Sequence, residues 1–248
     1  MLTPLLEHAW ASSPLRWATA VGVTMAFALA ARLMRGVNTS GAVAGGVACL
    51  LLFLGAGPAA FAALAVLFLM TWLSTRLGYR RKRDLGLAEH REGRNGWQVS
   101  ANLGVSGITA LVYAIGGNRA WLFAALAALS EAATDTVASE IGQSRGQNAI
   151  LITTWKPVPS GTDGGLTLAG TLSGAAAGLM IAVVSVAGGM ISTAEFWIPA
   201  AAGILGMLFD SLLGATAQRR GWMSNEAVNL GGTIIAAALA YSMSLWLQ

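Results

Sequence analysis

The sequence predicts an all-α fold, a polytopic transmembrane helical bundle of about 7 to 8 spans, organised as a single integral-membrane domain over residues 1–248 with its active site at the cytoplasmic face. Three observations carry this expectation. Of the 248 residues 55% are hydrophobic and only 10% charged, with a mean hydropathy of +0.63, which exceeds the balance of ordinary soluble domains. Apolar stretches of roughly 20 residues, the length a span requires, recur along the whole chain. The Lys and Arg residues, 15 against 11 Asp and Glu, gather beside those stretches, as cytoplasmic loops do. The net charge of +4 and pI near 9.8 therefore express membrane topology, and no nucleic-acid partner is expected.

The first span is 15–33, flanked by Arg32 and Arg35. Residues 36–41 break the pattern. A small-residue span, 41–55, follows, with Gly41, Gly45 and Gly46 suited to close helix packing, and 55–58 makes a turn. The third span, 59–75, runs into the most basic loop, about 76–95, which holds Arg76, Arg80, Arg81, Lys82, Arg83, Arg91 and Arg94. The positive-inside rule places this loop in the cytoplasm and the N-terminus outside, in a bacterial inner membrane. Residues 1–10 show no basic leader segment.

The fourth span, 97–115, sets Gln98, Asn102 and Ser106 at helical spacing on one face, which suits the bundle interior. After an external turn at 116–118, Trp121 leads the fifth span inward to an acidic stretch, 130–142. A Gly-rich cytoplasmic loop, about 142–165, precedes the sixth span, 166–186. The seventh, 196–217, carries Asp210 near its inner end and is followed by Arg219 and Arg220. The last, 227–247, is preceded by Asn225 and Glu226 and carries Asn229. An odd number of spans would break the alternation, most simply near 36–60.

In the acidic stretch Glu131 and Asp135 are four apart and share a helix face with Ser139, while Glu140 lies nearer Thr136. Acids at membrane depth cost several kcal/mol each by order of magnitude unless they face a polar cavity, a cation or a partner. Two readings follow for Glu131 and Asp135: a catalytic cavity, or an ion pair with an arginine of a neighbouring helix. With Cys49 the only cysteine and His8 and His90 the only histidines, a bound cation must take oxygen ligands, which favours magnesium, with manganese the alternative. His90 itself reads as solvated loop.

Ser160, Gly161, Thr162, Asp163, Gly164 and Gly165 lead toward the sixth span, so their amides suit an anion-binding nest at a helix N-terminus. The plainer role is a cap, with Thr162 or Asp163 closing that helix. Lys82 and Lys156 are the only lysines, both in cytoplasmic loops, and serve either as compact phosphate-binding charges or as topology signals. Asp210 and Gln218 share a helix face, as do Asn225 and Asn229; Asn225 is also a candidate cap. Acids, amides and cations gathered at one membrane face suit phosphate-ester chemistry, where a cation and basic groups neutralise developing charge.

Thr134-Asp135-Thr136-Val137-Ala138-Ser139-Glu140-Ile141-Gly142 resembles the Ala-Asp-Thr-Trp-Ala-Ser-Glu-Ile/Val-Gly signature of domain-of-unknown-function family 92, which includes animal transmembrane protein 19 and plant phytyl-phosphate kinase. Leu151-Ile152-Thr153-Thr154 with Gly161-Thr162-Asp163-Gly164-Gly165, Asp210-Ser211-Leu212-Leu213-Gly214-Ala215-Thr216 through Gln218, Asn225-Glu226-Ala227-Val228-Asn229 and Arg94-Asn95-Gly96-Trp97-Gln98-Val99 are similar to further blocks of that family. The resemblance covers about residue 41 to the C-terminus, with Thr134, Val137, Asp163 and Glu226 standing where the family usually has Ala, Trp, Asn and Asp.

The resemblance implies a kinase that transfers a phosphoryl group from a nucleoside triphosphate, CTP in related prenol kinases, to an isoprenyl monophosphate such as phytyl or geranylgeranyl phosphate, giving the diphosphate. On that reading Asp135, Glu140 and Asp210 hold magnesium with help from Asn225 and Asn229, Lys82 and Lys156 act in catalysis, and Arg76, Arg94, Asn95, Asn102, Ser160, Gly161, Thr162, Asp163, Gly164 and Gln218 bind substrate and nucleotide. The alternatives are a cytidylyltransferase that forms a CDP-lipid and a membrane transporter. External turns at 116–119 and 188–195 with few polar groups argue against transport. A homodimer is compatible with the sequence.

Overall fold

Glycine, proline and capping side chains punctuate the apolar chain wherever one helix ends and the next begins. The computed structural model describes residues 14–145 and 148–246; the leader reading of 1–10, His8 and the end of the last span at Leu247 lie outside the described residues. The helices are α1 (Pro14–Leu33), α2 (Thr39–Ala56), α3 (Pro58–Arg76), the short α4 (Tyr79–Asp84), α5 (Gly96–Gly116), α6 (Arg119–Arg145), α7 (Leu168–Ala187), α8 (Trp197–Leu213) and α9 (Asn225–Leu245). Asn38 caps α2, its Oδ1 accepting from Gly41 N at 2.9 Å. Gly57, at φ +87°, folds α2 back into α3, which Pro58 opens in the position where a missing N–H costs nothing. Asn95 and Gln98 form a reciprocal capping box at the start of α5.

Among the described residues seven helices are long and apolar enough to cross a membrane. The remaining long helix, α6, has 27 residues and is buried along most of its length, packed on α3, α5, α7, α8 and α9. Its acids are therefore sheltered by protein. The protein is an all-α, polytopic integral membrane protein. With α6, eight long helices are present among the described residues.

Small residues let the neighbours approach α6 closely. A Cβ on Gly174 of α7 would stand 2.5 Å from Thr134 O, and one on Gly206 of α8 would stand 2.7 Å from Glu131 Cγ. Without a hydrophobic drive between helices in lipid, such backbone contact is what dispersion and packing need.

One face of the bundle gathers the polar connections. Arg94 N donates to Gly36 O at 3.1 Å and Asn38 N to Arg94 O at 3.0 Å, which stitches the α1–α2 turn to the segment before α5. At the opposite face Arg119 pairs with Glu195 at 3.1 Å. The Gly-rich segment, expected as a loop entering a helix, is instead a small antiparallel sheet of order β2-β1-β3, with β1 (Ala149–Leu151), β2 (Pro157–Val158) and β3 (Gly165–Leu166). β3 and Thr167 separate the 160–165 turn from α7. Thr167, not Thr162 or Asp163, caps that helix, its Oγ1 accepting from Gly170 N at 3.0 Å.

Candidate functional site

The end of α6, the end of α8, the start of α9 and the sheet enclose a polar cavity of about 400 Å³. α6 presents Asp135 and α8 presents Asp210 to it. Asp210 Oδ2 is buried and has no hydrogen-bond partner. Beyond Leu213 the helix widens into a π turn, Gly214–Gln218, a distortion that recurs at functional sites, and Gln218 also lines the cavity. Ser224, rather than Asn225, caps α9, its Oγ accepting from Ala227 N at 3.3 Å. Asn225 and Asn229, one turn apart, both border the cavity.

Opposite them, Ser160, Gly161, Thr162, Asp163 and Gly164 form the wall on the sheet side. Gly164, at φ +75°, lies so close to the α8 end that a Cβ would stand 2.5 Å from Ser211 O. Within this turn Thr162 N donates to Pro159 O and Gly165 N to Thr162 O. Among the described residues the amides of Asp163 and Gly164 donate to nothing, and both residues line the cavity. Ser160 Oγ is likewise buried and unpartnered. Desolvation pushes the Asp163 carboxyl above its ordinary range, against the opposing charge of Arg219.

Arg94 and Asn102 close the cavity on the α5 side. Arg94 Nη1 donates to Thr136 Oγ1 at 3.2 Å, and its guanidinium lies 3.6 Å from Glu89 and 3.7 Å from Glu140. Its field also reaches Asp135. Asn102 Nδ2 donates to Gln98 O at 2.8 Å, while Oδ1 is buried without a partner.

Several residues expected at the site are elsewhere or otherwise engaged. Lys82 is fully buried; its ammonium is ion-paired with Glu140 and donates to Thr75 O at 2.8 Å. It caps the carbonyl end of α3, where a cation is favoured, and is not free to clamp phosphate. Glu140 borders the cavity, but its carboxylate is held by Lys82 and by Thr75 Oγ1 at 2.8 Å, which removes it from the expected metal set. Lys156 is exposed on the β1–β2 turn and Arg76 stacks on Trp72 at 4.2 Å; neither lines the polar cavity. Asn95 is spent on its cap.

Glu131, for which an arginine partner was one reading, has none: both carboxylate oxygens are buried and unpartnered, with the side chain against Gly206 and Gly232. Glu89 and His90 also line the cavity; His90 is exposed in its loop, in keeping with the solvated-loop reading. Among the described residues no cluster of three His, Cys, Asp or Glu side chains suits a metal. Asp135 and Asp210 remain as two carboxylates, a set that fits magnesium shared with substrate phosphates, since that ion often takes one or two carboxylates plus phosphate and water.

Residues 22–237 match the family described as Integral membrane protein DUF92. The chain is 37% identical to the uncharacterized membrane protein sll0875 of Synechocystis sp. over 70% of its own length and 69% of that protein. It is 34% identical to the uncharacterized membrane protein MJ0933 of Methanocaldococcus jannaschii over 69% of this chain and 71% of that one. Over 98% of its length it is 28% identical to Protein VTE6, chloroplastic, of Arabidopsis thaliana, covering 76% of that protein. No solved structure matches. The chain belongs to the DUF92 family of integral membrane proteins.

Proposed function

We propose that the protein is a membrane-bound kinase that transfers the terminal phosphoryl group of a nucleoside triphosphate, CTP in the first instance, to an isoprenyl monophosphate such as phytyl or geranylgeranyl phosphate. The observation that carries this reading is the meeting of Asp135 and Asp210 with the unengaged 163–164 amides and Arg94 around one polar cavity at an end of a lipid-embedded bundle. The resemblance to plant phytyl-phosphate kinase and the identity to VTE6 along nearly the whole chain support it. On this reading the polar face is cytoplasmic, where the nucleotide is, and the N-terminus is outside.

The acceptor is a phosphate monoester and already an anion, so no general base is required. One of its oxygens forms a bond to the terminal phosphorus while the bond from that phosphorus to the bridging oxygen breaks, and the nucleoside diphosphate departs with the electron pair. Asp135 and Asp210 would hold magnesium, which when bound neutralises phosphate oxygens. The Asp163 and Gly164 amides cradle one phosphate, and Gln218, Asn225 and Asn229 orient the nucleotide. Arg94 holds the acceptor phosphate in line. Positioning and charge neutralisation supply the acceleration.

The test is purified protein in lipid nanodiscs with magnesium, geranylgeranyl or phytyl monophosphate, and each nucleoside triphosphate in turn. γ-Labelled CTP is expected to yield labelled prenyl diphosphate. Label carried to lipid only from the base overturns the kinase in favour of cytidylyl transfer, and no labelled lipid from any donor overturns both.

A further inference from the structure

A second cavity, apolar and about 450 Å³, lies beside the polar one. Phe27 of α1, Leu64, Leu67 and Phe68 of α3, Leu103 of α5 and Ala132 of α6 form its walls. Its charged lining is mainly basic, Arg35, Arg76, Arg91 and Arg94, with Glu89 beside Arg94. The two cavities share a wall: Glu89, His90, Arg94, Gln98, Asn102 and Thr136 line both, and on this wall sits the unpartnered Asn102 Oδ1. We propose that the apolar chamber is the binding site for the hydrocarbon chain of a single-chain lipid monophosphate, whose phosphate rests at Arg94 on the border between the chambers.

An apolar pocket whose charged lining is mainly cationic selects an amphiphile with a hydrocarbon tail and an anionic head. At about 30 Å³ for a water-sized group, the chamber holds on the order of 15 such groups. That is room on the order of one hydrocarbon chain. Leu64 lies three turns from Arg76 along α3, about 18 Å on the helix axis, so the chain runs down into the bundle from a head held by the arginines. The rest of a longer chain extends into the bilayer. The small-residue helix α2 adds Gly41, Ala42 and Gly45 to these aromatic and branched walls, and α7 does not contribute.

Naming the head as the acceptor of a phosphoryl group rests on the kinase reading; the location of the chain does not. Gly45 of α2 lines the chamber, and a Cβ there would meet Val99 Cγ1 at 3.7 Å, an ordinary contact, so Gly45→Leu fills the chamber without a backbone clash. Gly22→Leu, at a position open on all sides within 4 Å and outside both cavities, is the control.

The experiment is photolabelling in nanodiscs of excess phosphatidylcholine with a farnesyl monophosphate bearing a diazirine at its tail, followed by peptide mapping. The expected label is on the segments carrying Phe27, Phe68 and Leu103, reduced at least tenfold by Gly45→Leu and unaffected by Gly22→Leu. Label confined to outward-facing Leu29, Val43 and Leu69, or label indifferent to Gly45→Leu, overturns the proposal. Transfer is scored separately. Chamber labelling without phosphoryl transfer from any nucleotide sinks the kinase and upholds the chain site, and transfer with outward labelling alone does the reverse. Where transfer occurs, Gly45→Leu is expected to raise the KM for a C20 acceptor about tenfold and that for a C5 acceptor far less; equal effects on both overturn the chamber.

Discussion

Lys82 and Glu140 form an ion pair sealed between α4, α3 and α6, with the lysine side chain 1% exposed and the glutamate 11%. The lysine ammonium also satisfies the Ser74 and Thr75 carbonyls at the end of α3. This pair fastens the basic segment to the central helix and so fixes the floor on which Glu89 and Arg94 stand. Removing one partner leaves the other charge buried and alone. Lys82→Met is therefore expected to cost about 3–5 kcal/mol, read as a lower thermal midpoint of tryptophan fluorescence in detergent. The double variant Lys82→Met/Glu140→Gln should recover part of that loss. A Lys82→Met protein as stable as the wild type yet inactive would return the lysine to catalysis.

Asp135→Asn and Asp210→Asn should behave in the opposite way. Neither carboxylate is tied into a structural ion pair, so both variants should stay folded. If the two acids share a cation with the nucleotide, losing either removes charge stabilisation worth about 100-fold or more in kcat, and the magnesium concentration for half-maximal rate should rise. Full turnover in either folded variant would sink the assignment.

Much of this arrangement is legible in the sequence, and the parts that are not have a common cause. Long apolar runs broken by Gly and Pro fix the helices, because a backbone in lipid must satisfy its own hydrogen bonds and only a helix does so locally. The acids at 135 and 210 stand out for the same reason. What the sequence hides is competition between equals. Thr162, Asp163 and Thr167 are all competent caps, as are Ser224 and Asn225, and tertiary placement chooses among them. Lys82 and Glu140 are separated by 58 positions, and nothing local says that one will consume the other. The strands of 149–166 are two or three residues long, too short to show a periodicity.

Glycine positions separate by what surrounds them. On Gly174 an added Cβ meets the carbonyl of Thr134 on the central helix, whereas on Gly104 nothing lies within 4 Å. Gly174→Ala is expected to destabilise by about 1–3 kcal/mol through forced separation of α6 and α7. Gly104→Ala should stabilise by up to about 1 kcal/mol through helix propensity. Equal thermal midpoints for the two variants would mean that the α6–α7 contact yields without cost.

The Asp163 carboxyl is held above the ordinary range by desolvation. A raised folded-state value means that the charged form is disfavoured by folding, so the penalty exists above the folded value and vanishes when both states are protonated, below about pH 4. Asp163→Asn should therefore match or exceed wild-type stability at pH 7, and the two should converge toward pH 4. Because the turn would use its amides rather than this side chain, activity should stay within about threefold. A large loss of turnover would show that the carboxylate itself takes part.

Glu131 occupies a notch that Gly206 of α8 and Gly232 of α9 open on the flank of α6, and neither of its oxygens finds a donor. A buried polar group without a hydrogen bond costs free energy that an apolar group of the same shape does not. Methionine matches the length and flexibility of glutamate and brings no unsatisfied oxygen. Glu131→Met is thus expected to raise the thermal midpoint, by an amount equivalent to about 1–3 kcal/mol. Glu131→Asp keeps the acid while shortening it, so it adds a void to the same unpaired group and should lower the midpoint. If methionine destabilises as much as aspartate does, the carboxylate has a donor within the bundle, and the notch between α8 and α9 is a polar pocket continuous with the Asp210 cavity instead of an apolar one.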